Sequence, residues 1–103
     1  MKTKSEKLDI DQVFKKIRPH MDKIFKDYNL GRIGIIESYL EREKMGAADL
    51  GFLIKFTGKE DNTNKLEKFL EKIFDLNVDL LLEDKLDENL KSKILKDVTY
   101  IEG

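Results

Sequence analysis

The chain of 103 residues has no cysteine and no tryptophan, and its only proline is Pro19. Without cysteine, no disulfide, thiolate zinc site or cysteine nucleophile is available. No window approaches the ~18 consecutive apolar residues of a membrane span. The start, Met1-Lys2-Thr3-Lys4-Ser5, lacks the apolar run of a signal peptide, so a cytoplasmic protein without a membrane role is expected. Neither sign of charge dominates either. Charged residues make up 40% of the chain, yet the formal net charge is only -1, which argues against a nucleic-acid partner. Residues 1–8 are polar and expected to fray, leaving a single domain over 9–103.

What is present is a series of short patterned segments. Asp9 with Gln12 three residues on marks a helix start. Val13, Phe14, Ile17, Met21, Ile24, Phe25 and Tyr28 then recur at helical spacing. Pro19 must kink this helix or begin a second one, and Asn29-Leu30-Gly31 supplies its stop. Residues 33–36 read as a buried strand, 37–43 as the start of a short helix, 44–48 as a loop and 50–56 as a second strand. Asn64 with Glu67 marks the next helix, whose buried stripe includes Leu66, Phe69, Leu70 and Ile73. A third strand follows at 77–82. Leu86, Leu90 and Ile94 mark a last helix of about three turns. Residues 98–101 form a β-leaning tail that could pack as an extra edge. The expected fold class is α/β (α+β), a small mixed sheet covered mainly on one face by helices.

The segment from Gly34 to Phe56 carries the chemical signal. Ser38 is followed by ten residues and then Asp49, which opens the second strand. Asn77-Val78-Asp79-Leu80 places a second acid on the third strand. Taken alone, Ser38 also reads as a helix cap, Asp49 as a turn residue and Asp79 as a solvent-facing acid. His20, the lysines at 65, 68 and 72, and the rings of Phe14, Phe25 and Tyr28 read most simply as surface, solvated face and core or interface.

In their common order these segments resemble the minimal nucleotidyltransferases of the DNA polymerase β superfamily. That family's pattern is a strand, Gly-Ser, ten residues and Asp-x-Asp, with a third acid on the next strand. Ser38-Tyr39, Glu43 and the closing stretch from Ile94 to Tyr100 also fit it. The resemblance implies that Asp49 and Asp79 stand at catalytic and metal-ligand positions, and Ser38 and residue 37 at the nucleotide-binding turn. Two Mg²⁺ ions would there stabilise the attacking and leaving oxygens of an in-line transfer.

Glu41 and Arg42 stand where the family often has arginine and glycine, and two motif positions depart from the pattern outright. Gly51 replaces the second aspartate, removing a ligand, and Glu37 replaces the glycine before the serine. Two like charges ~4 Å apart at an effective dielectric of 20 repel by about 4 kcal/mol, so Glu37 at a phosphate turn would oppose triphosphate binding. Glu37, Glu41 or Glu43 would be the substitute ligands. The resemblance therefore implies a nucleotidyltransferase-like domain with an incomplete metal site and no cofactor. Such a pseudoenzyme would serve as a binding or regulatory protein, for example an antitoxin for a HEPN-type partner, or as a homo-oligomer. The alternative is an active enzyme using Mg²⁺ to transfer AMP from ATP to a protein. A structural module without a nucleotide past is the third reading.

Overall fold

The computed structural model describes residues 9–40, 48–58 and 62–101. The expected frayed start at 1–8, the loop over 44–47 and the candidate ligands Glu41 and Glu43 lie outside the described residues.

Helix α1 spans Ile10–Ile17. Its start is the expected capping box: Asp9 accepts from the Gln12 N–H, and Gln12 accepts from the Asp9 N–H, both at 2.9 Å. Pro19 lies within a single 3₁₀ turn, Arg18–His20, after which α2 runs over Met21–Asp27. A proline ring continuing α1 would press on the carbonyl four residues back, so the helix breaks there. Within the expected stop Asn29-Leu30-Gly31, the left-handed residue is Asn29, at φ 55°. Asparagine tolerates the left-handed region, and strand β1 starts at once, spanning Leu30–Ile36 and so beginning three residues before the expected Ile33.

Strand β2 covers Leu50–Phe56, as expected, and helix α3 covers Thr63–Phe74. The expected cap at Asn64 is not used. Asn62 sits at the N-cap without a side-chain capping bond, and its Nδ2 donates to the Tyr28 carbonyl at 3.0 Å. Strand β3 is Val78–Leu82. The last helix is shorter than expected: a 3₁₀ turn at Glu83–Lys85 precedes α4, Glu88–Leu95, capped by Asp87 accepting from the Leu90 N–H at 2.8 Å. Leu90 is 43% exposed and takes no part in the core, whereas Ile94 is buried. The tail Val98–Ile101 is β4.

The four strands order as β3-β2-β1-β4, with β2 and β3 parallel and β1 antiparallel to both β2 and β4. The tail is thus the edge strand that its β-leaning sequence suggested. Side chains alternate across each strand and split the core in two. On one face Ile33, Ile35, Phe52 and Ile54 pack with Val13, Ile17, Ile24, Leu66 and Leu70 of α1 to α3. On the other, Ile36 and Leu53 pack with Ile94 of α4, and Tyr39 and Leu81 close over them. The result is the expected mixed sheet with helices mainly on one face. No helix among the described residues is long and apolar enough to cross a membrane.

Candidate functional site

The site lies on the less covered face of the sheet, where β1 runs out into the 3₁₀ turn Glu37–Leu40 and where β2 and β3 begin. Parallel pairing sets Leu50 beside Val78 and Gly51 beside Asp79. Asp49 therefore precedes the ladder by one residue, on the same face as Gly51 and Asp79. Its backbone N–H donates to the Asn77 carbonyl at 2.9 Å, and its Oδ2 accepts from the Asn77 N–H at 3.2 Å. This reciprocal pair fastens the starts of β2 and β3 together.

Tyr39 fills the space between the two acids' strands. A Cβ built on Gly51 would lie 2.4 Å from both Cδ1 and Cε1 of the Tyr39 ring, well inside contact distance. The Tyr39 hydroxyl donates to Asp79 Oδ2 at 3.0 Å. Burial, followed by that bond and the Asp79 charge, pushes the phenol up to about 12, so it stays neutral and remains a donor. Glycine at 51 is thus a steric requirement of the ring's position.

The turn at 37–38 is arranged differently from the sequence expectation. Glu37 is exposed and accepts a hydrogen bond from the Thr99 hydroxyl of β4, so its carboxylate is held towards the edge strand. Its N–H donates to the Asp97 carbonyl at 2.8 Å. The Ser38 N–H donates to the Asp97 carboxylate, Oδ2, at 3.0 Å. The repulsion assigned to Glu37 does not describe this arrangement; the acid that contacts the turn's amide is Asp97. From sequence, Tyr39 and Asp97 match the family pattern only as parts of longer stretches; their contacts here join residues 40 and 59 positions apart and leave no local pattern.

A further acid, Glu67 of α3, lies within electrostatic reach of Asp79. Its carboxyl is pushed up by burial and, after that, by the charges of Glu71 and Asp79. Among the described residues, however, no group of three or more His, Cys, Asp or Glu side chains is gathered in a way that could hold a metal ion.

At the far end of the same face, Glu83 is 2% exposed and fully engaged. Arg32 donates to both its oxygens, Nε at 2.9 Å and Nη2 at 3.0 Å, and the Tyr100 hydroxyl donates to Oε2 at 2.9 Å. The Arg32 guanidinium lies 4.4 Å from the centre of the Tyr100 ring. Burial alone would raise the Glu83 carboxyl, but the hydrogen bonds from Arg32 and Tyr100 together outweigh it and hold the group below its usual range. This cluster ties β1, β4 and the turn after β3 together.

The sheet of order β3-β2-β1-β4, with an acid at the head of β2 and another on β3, makes this a mixed α+β fold. No family profile matches the chain, and no curated protein matches its sequence. Solved structures do match its shape. One is the toxin–antitoxin pair MntA–HpeT with two aspartates, two positions apart, changed to glutamate; it is 17% identical at a TM-score of 0.59, over 93% of this chain and 74% of that one. The same pair with a tyrosine-to-alanine change gives 17% identity and 0.59 over 93% and 73%. At that identity the likeness shows the fold alone, a mixed α+β fold like that of a chain of the MntA–HpeT pair.

Proposed function

We propose that this chain is a nucleotidyltransferase-like protein that has given up nucleotide transfer and acts by binding a protein partner, as an antitoxin-like component. The observation that carries this reading is the Tyr39 ring lying over Gly51 with its hydroxyl on Asp79. Mg²⁺ demands a near-octahedral shell of oxygen ligands, and transfer needs two such ions clamping the reacting oxygens. Here one ligand position is glycine, the space above it is aromatic, and one acid is already hydrogen-bonded to a neutral phenol. The Asn77 amide engages the other acid. These residues do not fit a pair of magnesium ions, so no transfer step is derived through them.

The partner half of the proposal draws on the neighbours, which are structures of a toxin–antitoxin pair. A HEPN-type protein is the partner proposed for this chain. Titration calorimetry with ATP in excess Mg²⁺ tests the enzymatic half. The expected result is no magnesium-dependent binding up to about millimolar nucleotide, the regime of at most ~4 kcal/mol. Micromolar, magnesium-dependent binding would instead favour an active transferase. Co-expression with the product of the adjacent gene tests the other half, with a co-eluting complex as the expected result.

A further inference from the structure

Helix α3 turns two different flanks outward. Lys65, Lys68 and Lys72 recur at i, i+3 and i+7, so they line one face, opposite the buried stripe of Leu66, Leu70 and Phe74. All three are exposed, and none makes an ion pair with a described residue. Like charges at this spacing oppose helix formation by a few tenths of a kcal/mol per pair, a cost that an anionic partner would relieve.

Beside the lysines lies an aromatic floor. Phe69 is half-buried, with the Tyr28 ring centre 5.8 Å away in a tilted arrangement and the His20 ring meeting it edge-on at 5.7 Å. Lys23 Nζ sits 5.9 Å from the ring centre, while also pairing with Asp27 at 2.9 Å. Tyr28, Lys65, Lys68, Phe69 and Lys72 line an open groove of about 520 Å³. Glu71 also borders it, but its carboxylate is turned to the Val78 N–H, which donates to it at 3.1 Å.

The geometry points to this groove as the docking surface for an acidic, amphipathic helix of a protein partner. Carboxylates spaced at one helical turn would meet the three ammonium groups. Apolar side chains on the adjacent stripe would rest on Phe69, Tyr28 and the lysine stems, which offer apolar surface below their charges. A nucleic acid fits less well. The face carries no arginine among its lining residues to fork onto a phosphate, Phe69 already has ring neighbours, and the chain's net charge of -1 supplies no field to draw a polyanion. The inference rests on the protein-partner reading above and names the chemistry of that partner.

The test is fluorescence anisotropy with a labelled peptide whose glutamates recur at i, i+3 and i+7 beside a leucine stripe. Binding is expected, weakened at least about tenfold by Lys65→Glu, Lys68→Glu and Lys72→Glu combined, and kept by the corresponding arginine replacements. All three positions are exposed, and circular dichroism checks that each variant is folded. The proposal is overturned by no binding to the wild-type chain, by equal binding to the charge-reversed one, or by equal binding of a peptide whose glutamates are scattered round its helix. Tighter binding of a labelled single-stranded oligonucleotide also overturns it. The magnesium–ATP calorimetry reports separately: a chain that binds both magnesium nucleotide and peptide loses the reading that transfer has been given up and keeps this surface.

Discussion

Tyr39 and Gly51 share one volume: a single methyl on residue 51 would stand 2.4 Å from the ring that now covers it. Gly51→Ala must therefore displace the ring or the strand. Overpacking of this kind typically costs about 1–3 kcal/mol, and that loss is expected in urea unfolding. In a Tyr39→Ala background the same change should cost close to nothing, since the obstacle is gone. The difference between the two is the coupling energy of the pair. Equal costs in both backgrounds would show that the ring does not set the requirement for glycine.

The Tyr39 hydroxyl supports a second expectation. Tyr39→Phe keeps the ring over Gly51 and removes only the bond to Asp79, so a loss of about 1 kcal/mol is expected at neutral pH. The pH dependence has a definite sign. Burial, with the bond to Asp79 and its charge behind it, raises the phenol from 10.0 to about 12. In the unfolded chain the phenol ionises first, so the unfolded state is favoured as pH climbs. Stability is thus fully present below pH 10.0 and falls between there and about 12. Tyr100 is raised as well, by burial and then by its bond to Glu83, so the wild-type fall contains both groups. Subtracting the Tyr39→Phe curve isolates the contribution of Tyr39, and identical slopes for the two proteins would rule it out.

Glu83 titrates in the opposite sense. Its folded carboxyl sits below the ordinary 4.5, because the bonds from Arg32 and Tyr100 together overcome the larger single effect of burial. The stability it contributes is complete above pH 4.5 and is lost as pH falls through the depressed folded value. Glu83→Gln should flatten the acid limb of the stability profile. Arg32→Ala leaves a carboxylate that is buried in the wild-type chain with the Tyr100 hydroxyl as its remaining donor among the described residues, and should cost about 2 kcal/mol at neutral pH. Acid titration followed by circular dichroism measures both. An unchanged acid limb in Glu83→Gln would remove this cluster from the account of acid stability.

Much of the fold was legible because it is written in local periodicity. The Asp9–Gln12 cap, the limits of β2 at Leu50 and Phe56, and the α3 stripe of Leu66 and Leu70 each follow from residues within a few positions of one another. The misplaced boundaries come from tertiary choices. Asn62 serves the Tyr28 carbonyl instead of Asn64 capping α3, and Leu90 faces outward although its spacing from Ile94 suits a buried stripe. The spacing from Ser38 to Asp49 and the acid at Asp79 were readable as a pattern, and so was the glycine at 51. What replaced the missing side chain was not readable. The Tyr39 ring and the Asp97 carboxylate reach their partners across 40 and 59 positions.

Those two contacts also change what back-substitution should require. From sequence, a site would be rebuilt by placing glycine at 37 and aspartate at 51. Glu37, however, is held by Thr99, so Glu37→Gly removes an acid that does not face the turn amide. Gly51→Asp restores the third carboxylate only by pushing the Tyr39 ring away, and the phenol still competes for Asp79. Gly51→Asp with Tyr39→Phe removes that competitor while returning the ligand. This pair is expected to bind magnesium ATP at least about tenfold more tightly than Gly51→Asp alone, with Glu37→Gly adding little. Calorimetry on the folded variants measures each step. A gain from Glu37→Gly that exceeds the gain from Tyr39→Phe would mean that charge at the turn, not the hydroxyl on Asp79, keeps the nucleotide out.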